Sequence, residues 1–247
     1  MKGRLLEAEL ENPYSNVALE EAIYRELRVP TLRVWENQRS VVIGRAQLAK
    51  FETDLGYCRR HSVPVVRRFT AGGAVYHGPG NINWSFFVPR RDGGGPWRTD
   101  DAKLVFSSFA GLVRKALERC GVECEFRPPN SIAVQEGKIC GMAAYMSKTA
   151  ILCHGTLLSG ADLGELEMLT KPSPTRLGRK YPRSRFVEVA NCGVERGDFV
   201  RELAKDSGYH FVSGRLTEKE KSRCKALLGR YSSEKWNLGD PFELDDL

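Results

Sequence analysis

The chain has 247 residues, with 41% hydrophobic and 28% charged positions and a net charge of +7. That length supports one full hydrophobic core, and no apolar run approaches the roughly 20 residues a membrane-crossing helix needs. The positive charge favours acidic partners, but the basic residues are scattered in pairs without the interleaved aromatics of a nucleic-acid platform.

The start, Met1 to Glu11, is charged and lacks the apolar segment of a signal peptide, so a cytoplasmic protein is expected. Asn12 and Pro13 read as cap and first residue of a helix with Leu19, Ile23 and Leu27 on one side and Glu20, Glu21 and Arg25 on the other. That helix is assigned to packing, without chemistry. Thr31 to Trp35 and Ser40 to Gly44 read as two strands of a hairpin, and Glu52 to His61 as a short helix. Gly44, Arg45 and Gln47 close that hairpin. The stretch Pro89 to Pro96 has linker chemistry, with three consecutive glycines. A long amphipathic helix starts at Thr99-Asp100 and stops at Gly121, and four strands follow: Glu123 to Arg127, Ser131 to Val134, Lys138 to Ala144 and Thr149 to Leu158. Leu163 to Met168 reads as a short helix, and Lys171 to Arg185 as a basic, proline-punctuated connection. Helices over Asp198 to Ala204 and Thr217 to Gly229 complete the pattern, the second with a capping box at Thr217 and Glu220. The fold class is therefore α+β, a mostly antiparallel sheet flanked by helices. We divide it into a main region, 1–190, and a C-terminal helical extension of the same domain, 191–247.

The chain is organised around Arg67 to Phe87, RRFTAGGAVYHGPGNINWSFF, in which two small-residue turns flank a short strand. Glycine lets main-chain N–H groups approach a ligand closely, and arginine adds a cationic fork suited to phosphate or carboxylate. A plain β-hairpin with glycine turns is the competing reading. The seven cysteines, Cys58, Cys120, Cys124, Cys140, Cys153, Cys192 and Cys224, form no CxxC pair and no metal-ligand spacing, so reduced thiols and no zinc are expected.

RRFTAGGAVYHGPGN resembles the signature of the lipoate-protein ligases, of the biotin/lipoate ligase superfamily. Further matches are VVIGRAQ (Val41 to Gln47), Asn130-Ser131-Ile132, GKICG (Gly137 to Gly141) and HGTLL (His154 to Leu158), in the family's order. The resemblance implies activation of lipoate by ATP with Mg2+, then transfer of the lipoyl group to a lysine of an acceptor lipoyl domain of a 2-oxoacid dehydrogenase or glycine-cleavage H-type protein. It implies Lys138 as the catalytic residue, bridging carboxylate and phosphate. For ATP and lipoyl-AMP it implies Arg68, Thr70, Gly72, Gly73, Ala74, Val75, Tyr76, Asn81 and Asn130. His77, His154 and Gly155 are candidates at lipoate, with turn-stabilising histidines as the alternative. No protein metal site is expected, and neither nucleic acid nor membrane is expected as a partner.

Ser131 stands where the family has Asp, Cys140 where serine is common, and Ala71 at the first glycine. Too little chain follows the core for the extra C-terminal domain of many single-chain ligases, which resembles the archaeal type whose accessory part is a separate subunit. A second reading is an octanoyl or lipoyl transferase using a carrier-protein thioester without ATP. It would require an activated thiolate, with Cys124, Cys140 and Cys153 as the nearest candidates, since Pro172-Ser173-Pro174 carries none. A basic nucleic-acid-binding module is the reading of another class, and would predict salt-sensitive binding without ATP turnover.

Overall fold

A computed structural model describes residues 1–90, 99–170 and 181–244. The strands in chain order are β1 (Lys2–Leu6), β2 (Thr31–Trp35), β3 (Ser40–Ile43), β4 (Val65–Arg67), β5 (Val75–His77), β6 (Asn81–Pro89), β7 (Glu125–Arg127), β8 (Ser131–Val134), β9 (Gly137–Met146), β10 (Ala150–Leu158) and β11 (His210–Ser213). The helices are α1 (Pro13–Arg25), α2 (Ala49–Glu52), α3 (Leu55–Arg60), α4 (Ala102–Arg119), α5 (Leu163–Leu169), α6 (Arg196–Lys205), α7 (Glu218–Tyr231) and α8 (Glu234–Leu238). Eight strands form one sheet in the order β11-β1-β2-β6-β10-β9-β8-β7, and β4-β3-β5 form a second. Only the β1 pairings in the large sheet are parallel, so the α+β expectation holds.

Alternation along the strands divides the large sheet into two faces. Ile82, Trp84, Phe86 and Val88 of β6 and Ile151, Cys153 and Leu157 of β10 pack with Val105, Phe109 and Val113 of α4 and Phe199 and Leu203 of α6. The intervening residues Asn83, Ser85, His154 and Thr156 are buried on the opposite face. There Phe87 and Leu152 join a core with Ala18, Leu19 and Ile23 of α1, Tyr231 of α7 and Val42 and Val66 of the small sheet. A polar strip buried in this manner is where a fold carries its function.

Several local expectations change. β2 and β3 form no hairpin: β2 pairs with β6 in the large sheet, whereas β3 pairs with β4 and β5. The Glu36–Arg39 link carries the chain from one sheet to the other. The helix expected over Glu52 to His61 is two short helices broken at Thr53 and Asp54, the latter capping α3 through its side chain. The acidic start holds β1, which β11 from the C-terminal segment extends in parallel. The three-glycine linker and Pro172-Ser173-Pro174 lie outside the described residues. Asn12 caps α1 by accepting from Ser15 N, and the capping box of α7 is formed. No helix among the described residues is long and apolar enough to cross a membrane.

Candidate active site

Strands β2, β6, β10 and β9 lay two transverse rows of side chains beneath α1. One row runs Arg33, Ser85, His154, Ala143, and the next runs Trp35, Asn83, Thr156, Gly141. Together with the small sheet they enclose a cavity of about 540 Å³, lined by Glu20, Trp35, Arg68, Gly73, Ala74, Val75, Tyr76, His77, Asn83, Ser85, Asn130, Lys138, His154 and Gly155 among others.

Glu20 roofs the first row. Its Oε1 accepts from His154 Nδ1 at 2.9 Å and from Ser85 Oγ at 2.5 Å. Burial alone would raise this carboxyl, but the charge and hydrogen bond of His154, the Ser85 bond and nearby Arg33 outweigh it and hold the pKa at about 2. α1 packs as expected, but the side assigned no chemistry is not a free polar face: Glu20 and Glu21 are 2% and 1% exposed, and Glu20 lines the cavity. Glu21 points the other way, accepting from Tyr231 Oη at 2.6 Å and pairing with Arg230. Two glutamates on neighbouring positions of a helix read as one solvent face only if nothing packs there, and α7 does.

Against the second row, from β5 of the small sheet, His77 is buried. Its Nδ1 lies 3.1 Å from Asn37 Nδ2 and its Nε2 lies 3.0 Å from Thr156 Oγ1. Burial pushes its pKa down to about 3, so the ring is neutral. Both matched histidines thus sit at the cavity, each held by side chains of other elements and not merely by a turn.

The glycine turn is supported from beneath by Arg68. Its guanidinium donates to Thr70 Oγ1 at 3.0 Å, Val42 O at 3.2 Å, and the carbonyls of Ala71 and Gly73 at 2.8 Å each. Four of its five N–H donors are therefore given to the protein, two of them to the carbonyls of Ala71 and Gly73, so that Arg68 holds the turn in shape. Burial lowers its pKa to about 10, with Glu20 opposing, so it keeps its charge at neutral pH. Gly72 has φ +102°, and a Cβ there would lie 2.8 Å from Arg68 Nη2. Gly72 and Gly73 N–H have no partner among the described residues, whereas Ala74 N donates to Ser184 Oγ at 2.7 Å. Thr70 links the loop to the first row, its hydroxyl 2.9 Å from His154 Nε2.

Lys138 lies across the second row from β9. Its Nζ would be 2.9 Å from a Cβ built on Gly141, so the second glycine of GKICG is the space the lysine occupies. Burial lowers its pKa from 10.5. No described residue bonds to or pairs with its ammonium. Asn130 continues the β8–β9 pairing past Ser131 and Gly141, accepting from Met142 N at 2.9 Å and donating Nδ2 to Met142 O at 2.5 Å. Gly155 alternates to the far face, where a Cβ would lie 2.7 Å from the Trp84 ring. Thr70, Gly72 and Asn81 are outside the cavity wall; Asn81 instead donates to Tyr76 O at 2.7 Å and holds the turn after β5. Gly44 packs under the loop, where a Cβ would lie 2.1 Å from Gly72 O, and Gln47 Oε1 accepts from Gly44 N at 2.8 Å. Arg45 stands off the cavity, over the Trp236 ring.

The thiols do not suit nucleophilic work. Cys124, Cys140 and Cys153 are buried, and burial pushes the first to about 11, the second to about 12 and the third well above its ordinary value. The residues missed from sequence are Glu20, Arg33, Asn37, Asn83 and Ser85. Two of these, Asn83 and Ser85, were hidden in plain alternation: NINWSFF carries polar residues at every second position of a strand, the mark of a buried polar face.

Residues 12–196 match the model of the lipoyl protein ligase A/B catalytic domain. Lipoate-protein ligase A subunit 1 of Thermoplasma acidophilum is 33% identical, over 97% of this chain and 97% of its own length. The solved archaeal bipartite lipoate protein ligase from that organism, studied with its E2 lipoyl domain, superimposes with a TM-score of 0.84 at 30% identity, covering 100% of this chain and 99% of that one. A lipoate-protein ligase A bound with ATP gives 0.83 at 31% identity, with 97% and 99% covered. The chain therefore belongs to the lipoyl protein ligase A/B catalytic domain family.

Proposed function

We propose that this chain is an ATP-dependent lipoate-protein ligase that forms lipoyl-AMP and transfers the lipoyl group to a lysine of an acceptor lipoyl domain, acting with a separate accessory subunit. The observation that carries this reading is the Lys138 ammonium, without a partner among the described residues, laid over Gly141 beside a loop whose Gly72 and Gly73 N–H groups are likewise unclaimed by them. Carboxylate and α-phosphate repel each other, and a cation between them offsets both that repulsion and the charge growing at phosphorus. Lys138 stands where it can touch both. The partial desolvation that lowers its pKa also strengthens its attraction for anions. The loop N–H groups would hold nucleotide oxygens, with Arg68 fixing their direction.

The apolar wall of Val17, Trp35 and Val42 suits an acyl chain. Among the described residues no cluster of three His, Cys, Asp or Glu could hold a metal, so magnesium would arrive on the nucleotide, bound by phosphate oxygens and water. Once the mixed anhydride exists, the protein has mainly to position the acceptor amine. The accessory subunit follows by likeness to the bipartite archaeal system, and we place the protein in the cytoplasm. We take 191–247 as part of the same domain, since β11 extends the large sheet and Tyr231 bonds α1.

Intact mass of a lipoyl acceptor domain tests this, after incubation with lipoate, Mg-ATP and this protein with and without the accessory subunit of its own organism. A lipoyl mass gain that requires ATP is expected. A gain only from an octanoyl-carrier donor without ATP would instead establish the transferase.

A further inference from the structure

Asn83 lies in the second row, 2% exposed, lining the cavity, and its Nδ2 has no hydrogen-bond partner among the described residues. Which end of this amide is free is settled by groups far from it. Asn16 Oδ1 accepts from Leu10 N at 2.9 Å and from Arg33 Nη2 at 2.9 Å, and both of those can only donate. Asn16 therefore donates its NH2 to Leu10 O at 3.0 Å and Asn37 Oδ1 at 3.1 Å. Asn37 must then present its NH2 to His77 Nδ1 at 3.1 Å. With Nδ1 accepting, the neutral ring carries its hydrogen on Nε2, which donates to Thr156 Oγ1 at 3.0 Å. The hydroxyl directs its one hydrogen to Asn83 Oδ1 at 2.8 Å. Five side chains thus run in one sense, from a main-chain N–H and a guanidinium to a free amide NH2 at the cavity.

Asn83 faces Thr156 across one strand pairing, and Thr156 faces Gly141, over which the Lys138 ammonium lies. Two strand spacings, about 10 Å between Cα atoms, separate Asn83 from Gly141. Side chains reaching inward from both ends leave room for a carboxyl group between two donors.

We propose that Asn83 is a further catalytic residue, whose Nδ2–H donates to the carboxyl oxygen of the acyl substrate that becomes the carbonyl of the acyl adenylate, while Lys138 holds the oxygen that attacks. This rests on the adenylating reading above. In that step the attacking oxygen forms a bond to the α-phosphorus, the bond from that phosphorus to the pyrophosphate oxygen breaks with its electron pair, and no proton moves. A neutral donor of fixed direction marks the carbonyl oxygen without pairing away the charge the nucleophile needs. In the transfer step the same donor would face the oxygen on which charge grows as the amine adds.

Lipoate-dependent exchange of pyrophosphate into ATP, measured with the full chain and its accessory subunit, tests this. Asn83→Ala should lower kcat by about 100-fold with little change in the KM for Mg-ATP, the loss expected for one such donor. Asn83→Asp should lose as much at about pH 8 and, relative to the unchanged protein, recover as the pH falls towards about 5.5, where the acid becomes an O–H donor. Should either variant fail to fold, Thr156→Ser, which keeps the relaying hydroxyl, should stay active while Thr156→Val follows Asn83→Ala. Asn83→Ala within threefold of the unchanged protein, an Asn83→Asp profile parallel to it, or equal activity of the two Thr156 variants would each overturn the proposal. No exchange by the unchanged protein would overturn the adenylating reading beneath it.

Discussion

The two sides of the cavity are built on opposite plans. On the sheet floor nearly every polar atom is engaged: Glu20, Ser85 and His154 close on one another, and His77 is held at both nitrogens. At the loop and the β9 end of the floor, Arg68 bonds the carbonyls of Ala71 and Gly73 while the N–H groups of Gly72 and Gly73 and the Lys138 ammonium stay unclaimed by described residues. The contrast separates shape from reactivity. Satisfied networks hold a surface still, and groups meant for a ligand are those the protein leaves without a partner.

The sharpest way to break this comparison is Lys138→Ala. It removes a cation lying over the row that has no partner among the described residues, and should lower lipoate-dependent pyrophosphate exchange by about 1,000-fold while thermal stability stays close to that of the unchanged protein. A loss of stability in place of activity would place Lys138 with the floor. Glu21→Ala is the complementary change. It strands Tyr231 and Arg230, and should cost about 3 kcal/mol in urea unfolding, the scale for breaking one side of a buried pair. Gly141→Ala should leave the fold standing but push aside the lysine, whose Nζ and Cε would lie 2.9 and 3.0 Å from the new Cβ. Because the far end of a flexible chain yields, we expect kcat to fall about 10-fold to 100-fold without unfolding.

The smallest effect tests the floor by acid. His77 has a folded pKa of about 3, below its ordinary 6.5. The unfolded chain therefore takes up the proton first: the stability His77 contributes is fully present above about pH 6.5 and is lost as pH falls towards about 3. The slope from this group is at most about 1.4 kcal/mol per pH unit. His77→Gln should flatten the unfolding free energy against pH by up to that amount across this window, and an unchanged slope would mean the ring is not held neutral.

Much of this was legible before any coordinates. Arg67 to Phe87 announced a glycine turn and a strand, and both are present; Asn12, Thr217 and Glu220 announced their caps. What escaped was long-range. Ser40 to Ile43 has the composition of a hairpin partner for Thr31 to Trp35, and nothing local says that it leaves for another sheet. Glu20 and Glu21 look solvated because charged residues on a helix usually are, and only the packing of α7 on one and the floor on the other reverses that. Arg68 borders the glycine turn in sequence, yet its partners there are carbonyls that become neighbours only when the loop folds over it.

Two tandem pairs of like charge now stand out. Glu20 turns to the cavity and Glu21 to α7, whereas Arg68 supports the glycine loop and Arg67 binds the carbonyls of Trp236 and Gly239 at 2.7 and 3.0 Å, with Trp236 Nε1 returning a bond to Arg67 O at 2.8 Å. Each pair works only in one phase. One residue inserted ahead of either would rotate a helix by about 100° or flip a strand, sending the first charge of the pair to the second's place and the second beyond it. Composition would be nearly unchanged and the protein would be lost, so these two segments should tolerate substitution far better than any change of length.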